Sequence, residues 1–325
     1  MIKRILSRKV IVATSALFAL FLVYMIPKEE IKQLENVPEN IEYVESQVEE
    51  QTVFLLNQDN LLGRTQVVAS ETADPLSKVK EALLTLIQEG PNESRVPNGF
   101  KAIIPSDTKI NSIDLQDGIL KVDFSKELLD VNEEMEEKVV EAIVYTATSI
   151  KEVKSVIIFV DGDVLTKLPK SGINLPSTLD RSFGINKEYD LTSTDSINQV
   201  TVYYVDEYND SYYYVPVTKY LNDDRDKIKI IIDELTSANM YQTNLMSFLN
   251  SNTELLDIQQ SEDVLSLNFN SYIFNDATKK DILEEVIYTI CLSVGDNYNV
   301  EEVVFQVDTE EVYKTVLKDV EGSEK

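Results

Sequence analysis

The sequence contains no histidine and a single cysteine, Cys291. The first absence removes the commonest general base and the commonest metal ligand. A Ser-His-Asp triad, a Cys-His pair and a His-ligated zinc are excluded within this chain. A lone cysteine forms no internal disulfide and no CxxC pair. Basic residues are scarce: 30 Lys and Arg stand against 57 Asp and Glu, a formal charge of -27. Nucleic-acid binding needs clustered Lys and Arg, so no nucleic-acid partner is expected. With so many carboxylates, finding a pair of them in the sequence says nothing about glycan hydrolysis.

What is present is globular. Hydrophobic residues make up 43% of the chain, which rules out wholesale disorder. A length of 325 residues has room for two ordinary domains plus tails. The sequence repeats itself once. Landmarks at 51–56, 120–125 and 156–162 return in the same order at 199–204, 265–270 and 303–308, roughly 143 to 149 residues later. That period is far too long for a solenoid unit and reads as two tandem copies of one small domain.

The N-terminus has its own pattern. Lys3, Arg4, Arg8 and Lys9 precede an uncharged apolar run at 10–26, closed by Pro27. Seventeen residues lie at the short end for a spanning helix. The basic flank predicts a cytoplasmic N-terminus with the bulk of the chain outside, a single-pass cell-membrane protein. A cleaved signal peptide is the rival reading, but no small-residue cleavage site follows the run. The expected organisation is a basic segment and anchor at 1–27, an acidic stalk at 28–50, a first domain at 51–166, a linker at 167–197, a second domain at 198–317 and a tail at 318–325. The linker carries apolar Ile173, Leu175, Leu179, Phe183 and Ile185, so part of it is expected to pack on a domain.

Within the first copy, 51–56 and 65–69 read as strands. Asp74 and Pro75 open a helix whose apolar face is Leu76, Val79, Leu83, Leu86 and Ile87. Gly90 is expected to take the left-handed position after it, with Pro91 blocking continuation. Asp117-Gly118 between two strand-like runs predicts a hairpin. Asn132 is expected to cap a second helix that buries Val139, Ala142, Ile143 and Thr146. A last strand ends at Val160. The second copy follows the same plan. Its strand at 212–217 contains Pro216, which predicts an edge position. Asn275 is expected to cap its second helix.

No residue is nominated as catalytic, cofactor-binding or metal-binding. Asp161 and Asp163 resemble a fragment of a calcium loop, yet they lack the six to eight oxygens a site needs and read as a hairpin turn. Asn222, Asp223, Asp224 and Asp226 read as a helix start. Asp123 and Ser125 have no histidine base beside them; Asp123 reads as the wet face of a strand and Ser125 as its end. Cys291 lies among apolar neighbours and reads as core. Tyr203, Tyr204, Tyr208, Tyr212, Tyr213 and Tyr214 suit either cross-strand packing or a protein interface.

One resemblance gathers these marks. Thr52-Val53-Phe54, Asp74-Pro75-Leu76, Gly90-Pro91, Ile104-Pro105, Val122-Asp123-Phe124-Ser125 and Thr146 occur in an order that resembles the GerM domain family of sporulation and spore germination proteins. The resemblance runs over roughly 50–317. The second copy departs from it: the Gly-Pro and Ile-Pro marks are missing, and Leu267-Asn268-Phe269-Asn270 stands for Val-Asp-Phe-Ser. The resemblance implies an α+β fold, two tandem small α/β-sandwich domains similar to ring-building motifs. It implies a non-enzymatic scaffold without cofactors, anchored in the envelope and supporting a trans-envelope channel. Envelope or channel proteins, or further copies in a ring, are the implied partners. A ligand-sensing ectodomain and an envelope scaffold unrelated to sporulation stay open as alternatives.

Overall fold

A computed structural model describes residues 49–70, 74–237 and 244–317. The expected anchor at 10–26, nearly all of the stalk and the tail lie outside the described residues. Among the described residues no helix is long and apolar enough to cross a membrane.

Each repeat opens with a β-hairpin. In the first, β1 (Glu50–Leu56) pairs antiparallel with β2 (Leu62–Val68). Helix α1 (Pro75–Thr85) follows, with Asp74 accepting a hydrogen bond from the Ser77 N–H at 3.1 Å. That bond satisfies one of the amides a helix start leaves unpaired. Then β3 (Ile110–Gln116) turns into β4 (Ile119–Phe124) through Asp117 and Gly118, whose φ angles are 52° and 80°. Two positive values are what a type I′ turn requires. Helix α2 (Glu133–Ala147) leads to β5 (Ser155–Val160) and the short β6 (Asp163–Val164). The sheet order is β3-β4-β5-β6, with only the β4–β5 pair parallel.

After the linker strand β7 (Glu188–Asp190), the second repeat retraces this path. Its hairpin is β8 (Asn198–Tyr208) and β9 (Ser211–Leu221), longer than its counterpart. Helix α3 (Lys227–Thr236) is capped by Asp226, which accepts from the Ile228 N–H. Strands β10 (Leu255–Ser261) and β11 (Val264–Phe269), helix α4 (Glu284–Asn297), and strands β12 (Glu302–Val307) and β13 (Glu310–Val316) complete it. The order β10-β11-β12-β13 repeats the first sheet, again with one parallel pair.

The two opening hairpins join a single sheet. β2 pairs antiparallel with β9 through Arg64 and Tyr214, so equivalent strands of the two repeats meet. The outer strands β1 and β8 carry the sheet's far edges, and a helix hydroxyl bonds each one. The Phe54 N–H donates to Thr146 Oγ1 of α2 at 3.0 Å, and the Tyr203 N–H donates to Ser293 Oγ of α4 at 2.9 Å. These bonds satisfy buried strand-edge amides that have no neighbouring strand. Both helices are buried nearly all round: Val139 to Ala147 and Val286 to Val294 are continuously buried.

Four local expectations are corrected. Gly90 does not take positive φ; Glu89 does, at 51°. Gly90 is required for another reason: a Cβ there would lie 2.8 Å from the Ile87 carbonyl oxygen. Asn132 occupies the N-cap position without a side-chain cap bond, and three glutamates in the first turn of α2 complement the helix dipole instead. Asn275 does not cap α4. The chain from 275 to 281 forms a turn closed by an Asp276–Asp281 bridge, and the helix starts at Glu284. Pro216 is not in an edge strand: β9 has β8 on one side and β2 and β7 on the other.

Candidate functional site

The junction between the repeats concentrates the buried polar chemistry of the chain. Its centre is the Arg64–Tyr214 pair. On one flank the ladder is continued by a side chain. Asn186 Nδ2 donates to the carbonyls of Leu62 at 2.9 Å and Pro216 at 2.8 Å, and Oδ1 accepts from the Leu62 N–H at 2.9 Å. One amide thus bonds a strand from each repeat. This explains the proline. The contact needs only the Pro216 carbonyl, so its missing N–H costs nothing there.

Asn186 is held with φ at 46° by its own N–H, which donates to Glu141 Oε2 at 2.9 Å. Glu141 is 2% exposed. Burial raises its carboxyl to about 7, opposed by the Lys187 ammonium and the Asn186 N–H. Lys187 Nζ lies 3.9 Å from Glu141 and 2.7 Å from Glu137, and 3.4 Å from the Phe183 ring centroid. Lys138 faces the same cluster, its ammonium held below the usual lysine range by burial, against the attraction of Glu141 and Glu137.

Arg181 makes a second clasp. Its guanidinium donates to Thr148 Oγ1 and Ser149 Oγ at the end of α2, both at 3.1 Å, and to Asp296 of α4. Tyr203 donates its hydroxyl proton to the other Asp296 oxygen at 2.9 Å. The guanidinium carbon sits 5.1 Å from the Tyr145 ring centroid. Leu168, Leu175, Leu179 and Ile185 are buried in the first repeat's core, so the linker packs as the sequence suggested.

On the other flank of Arg64–Tyr214 the cross-repeat contacts are aromatic. Asn57 Nδ2 donates to Asp206 at 2.9 Å and to the Tyr213 hydroxyl at 3.2 Å, and Tyr213 donates to Asp206. Phe100 meets Tyr213 edge to face at 4.7 Å. Tyr208 lies on the backbone of Gly99, whose φ is +90° and where a Cβ would sit 2.6 Å from the ring. Here the sheet opens into a cleft of about 480 Å³, lined by Thr65 and Gln66 of β2, Pro97 to Phe100, and the tip of the β8–β9 hairpin.

The other candidate residues have structural places. Asp123 Oδ1 accepts from the Gly162 N–H at 3.0 Å and holds the β5–β6 turn; Asn268 Oδ1 accepts from the Thr309 N–H at 3.1 Å in the same position of the second repeat. Ser125 pins Lys109 by exchanging hydrogen bonds with its backbone. Asp161 and Asp163 flank a turn, and no group of three or more metal-ligating side chains occurs among the described residues. Cys291 is buried, and burial pushes its thiol well above the usual range. Of the tyrosines, Tyr203, Tyr204, Tyr213 and Tyr214 are buried while Tyr212 is 46% exposed. Asn57, Arg181, Asn186 and Asp206 were not picked out in the sequence. For Arg181 and Asn186 the only signal there is the set of apolar residues in a segment otherwise punctuated like a loop.

Comparison with known proteins agrees with this architecture. The family model described as Germane, sporulation and spore germination, matches residues 52–166 and again 201–313. The chain is 34% identical over 260 residues to the spore germination protein GerM of Bacillus subtilis (strain 168), covering 76% of this chain and 70% of that one. The solved tandem GerMN domains of the sporulation protein GerM from Bacillus subtilis superpose with a TM-score of 0.73 at 29% identity, over 80% of this chain and 91% of theirs. Two matched repeats, in one α+β arrangement, place the chain in the Germane family of sporulation and spore germination proteins.

Proposed function

We propose that this protein is a non-enzymatic, membrane-anchored scaffold acting outside the cytoplasm in a sporulation-associated envelope complex. The observation that carries the reading is the double family match combined with a pair of repeats joined by buried hydrogen bonds. The apolar run at 10–26 behind four basic residues supports the anchor and its orientation. The buried polar groups at the junction are bonded to one another across the repeats, which suits a fixed platform better than a reaction centre. Its partners on this reading are envelope or channel proteins.

Crosslinking of the intact chain in cells sampled through growth and sporulation tests the proposal. Channel or engulfment proteins recovered only during sporulation are the expected result. Recovery of the same wall-synthesis or transport partners in vegetative cells overturns the sporulation role and leaves the fold untouched.

A further inference from the structure

Asn98-Gly99 is the one Asn-Gly pair in the sequence. Asn98 is exposed, on the turn from Pro97 to Phe100. That turn is closed by the Phe100 N–H, which donates to the Pro97 carbonyl at 3.2 Å. The Gly99 amide is therefore not the one the turn uses. Glycine at 99 is demanded by fit. Its φ is +90°, and a Cβ there would lie 2.6 Å from the Tyr208 ring of the second repeat. The same missing side chain has a chemical consequence. In other Asn-Xaa pairs the following side chain hinders the approach of its own backbone nitrogen to the asparagine carboxamide. Before glycine that hindrance is gone. Two Asp-Gly pairs, 117–118 and 161–162, can close the same ring, but a carboxylate is a poorer electrophile than a carboxamide. The packing that joins the repeats thus requires the most reactive dipeptide in the chain, and places it in solvent.

We propose that Asn98 is a site of spontaneous deamidation through a cyclic imide, and that the isoaspartate product loosens the contact between Tyr208 and the first repeat. The Gly99 nitrogen forms a bond to Asn98 Cγ and gives up its proton, and the carboxamide nitrogen leaves as ammonia. Water then opens the ring. Breaking the new bond gives aspartate at position 98. Breaking the bond from the Gly99 nitrogen to the original main-chain carbonyl gives isoaspartate, with the chain now running through Cγ. Either way one water is consumed and one ammonia released, so no oxidant, reductant or co-reactant is needed. Isoaspartate adds a methylene to the main chain and a negative charge beside it. Gly99 has no room to absorb that shift, because Tyr208 already fills the space a Cβ would need. Tyr208 ends β8 and pairs with Ser211 across the hairpin tip, so the second repeat feels a change made in the first. The inference does not depend on the scaffold reading.

The test incubates the full chain in detergent micelles in mildly alkaline buffer and follows each asparagine by peptide mapping with mass spectrometry. Asn98 is expected to convert before any other asparagine, at a rate within about tenfold of the same chain unfolded in guanidinium chloride. Asn98→Gln, whose longer side chain closes a ring far more slowly, is expected to stay unchanged at 98 over the same period. The isoaspartate form, separated by chromatography, is expected to exchange its amides faster at Tyr208 to Ser211 than the Asn98→Gln protein does. Circular dichroism establishes that both forms fold. Retention of the Asn98 carboxamide in the folded chain while the unfolded chain converts overturns the proposal. So does earlier conversion of another asparagine, or unchanged exchange at Tyr208 to Ser211 in the isoaspartate form.

Discussion

Replacing Thr146 by valine tests the claim that helix hydroxyls close the edges of the shared sheet. The Phe54 N–H is buried and donates to Thr146 Oγ1 at 3.0 Å. Valine keeps nearly the same volume and removes the acceptor. A buried amide left without a partner costs about 1–3 kcal/mol. For a unit of this size that is a fall in Tm of roughly 2–4 °C per kcal/mol. Thr146→Ser keeps the acceptor and loses one methyl, about 1 kcal/mol. Serine is also what the second repeat uses at Ser293. The decisive assay is hydrogen exchange. Phe54 should lose protection in the valine variant and keep it in the serine variant, with urea melts giving the total. If valine leaves Phe54 protection unchanged and stability within about 0.5 kcal/mol of the original, the edge-closing argument is wrong.

Other consequences are as direct. The Glu141 carboxyl, near 7 in the folded protein against 4.5 for the free group, holds its proton longer folded than unfolded. Its contribution to stability is therefore full below pH 4.5 and is lost as pH rises through 7, a fall of about 3 kcal/mol. Glu141→Gln should flatten that part of the stability profile between pH 5 and 8 in urea titrations. Arg181→Ala strands the Asp296 carboxylate, whose side chain is 3% exposed, and should cost about 3–5 kcal/mol in the same melts. Asp123→Asn copies the residue the second repeat has at Asn268; it should change stability by less than about 0.5 kcal/mol, while Asp123→Ala should cost about 1 kcal/mol.

The elements with local signals were legible. The Asp117-Gly118 hairpin, the Asp74-Pro75 helix start and the repeat itself follow from backbone preferences and periodicity that a few neighbouring residues carry. The failures have the same origin. Asn275 looks like a cap by residue type, but its surroundings close a turn first. Gly90 sits where a left-handed residue belongs, but the tight approach of the Ile87 carbonyl, not φ, demands glycine. The junction was harder still. Asn186 bonds residues 124 and 30 positions away, and Arg181 one 115 positions away. No window of sequence contains both ends of such a contact, so the linker reads as a loop with unexplained apolar residues.

The divergence of the second repeat then has a physical reading. Two identical hairpins meeting through equivalent strands would present identical faces to each other. Here the faces are complementary. The first repeat offers Gly63 and Gly99, small enough to bring backbone close, and the second offers Tyr213 and Tyr208, which fill that space. Asn57 from one meets Asp206 and Tyr213 from the other. Positions that hold only their own repeat together have kept their chemistry: hydroxyls at Thr146 and Ser293, and carbonyl-type oxygens at Asp123 and Asn268. The repeats therefore agree where each must fold and differ where each must fit the other. Tyr208 and Tyr213 of the second copy serve that fit, while the side chains of Tyr203, Tyr204 and Tyr214 bond or stack within their own repeat.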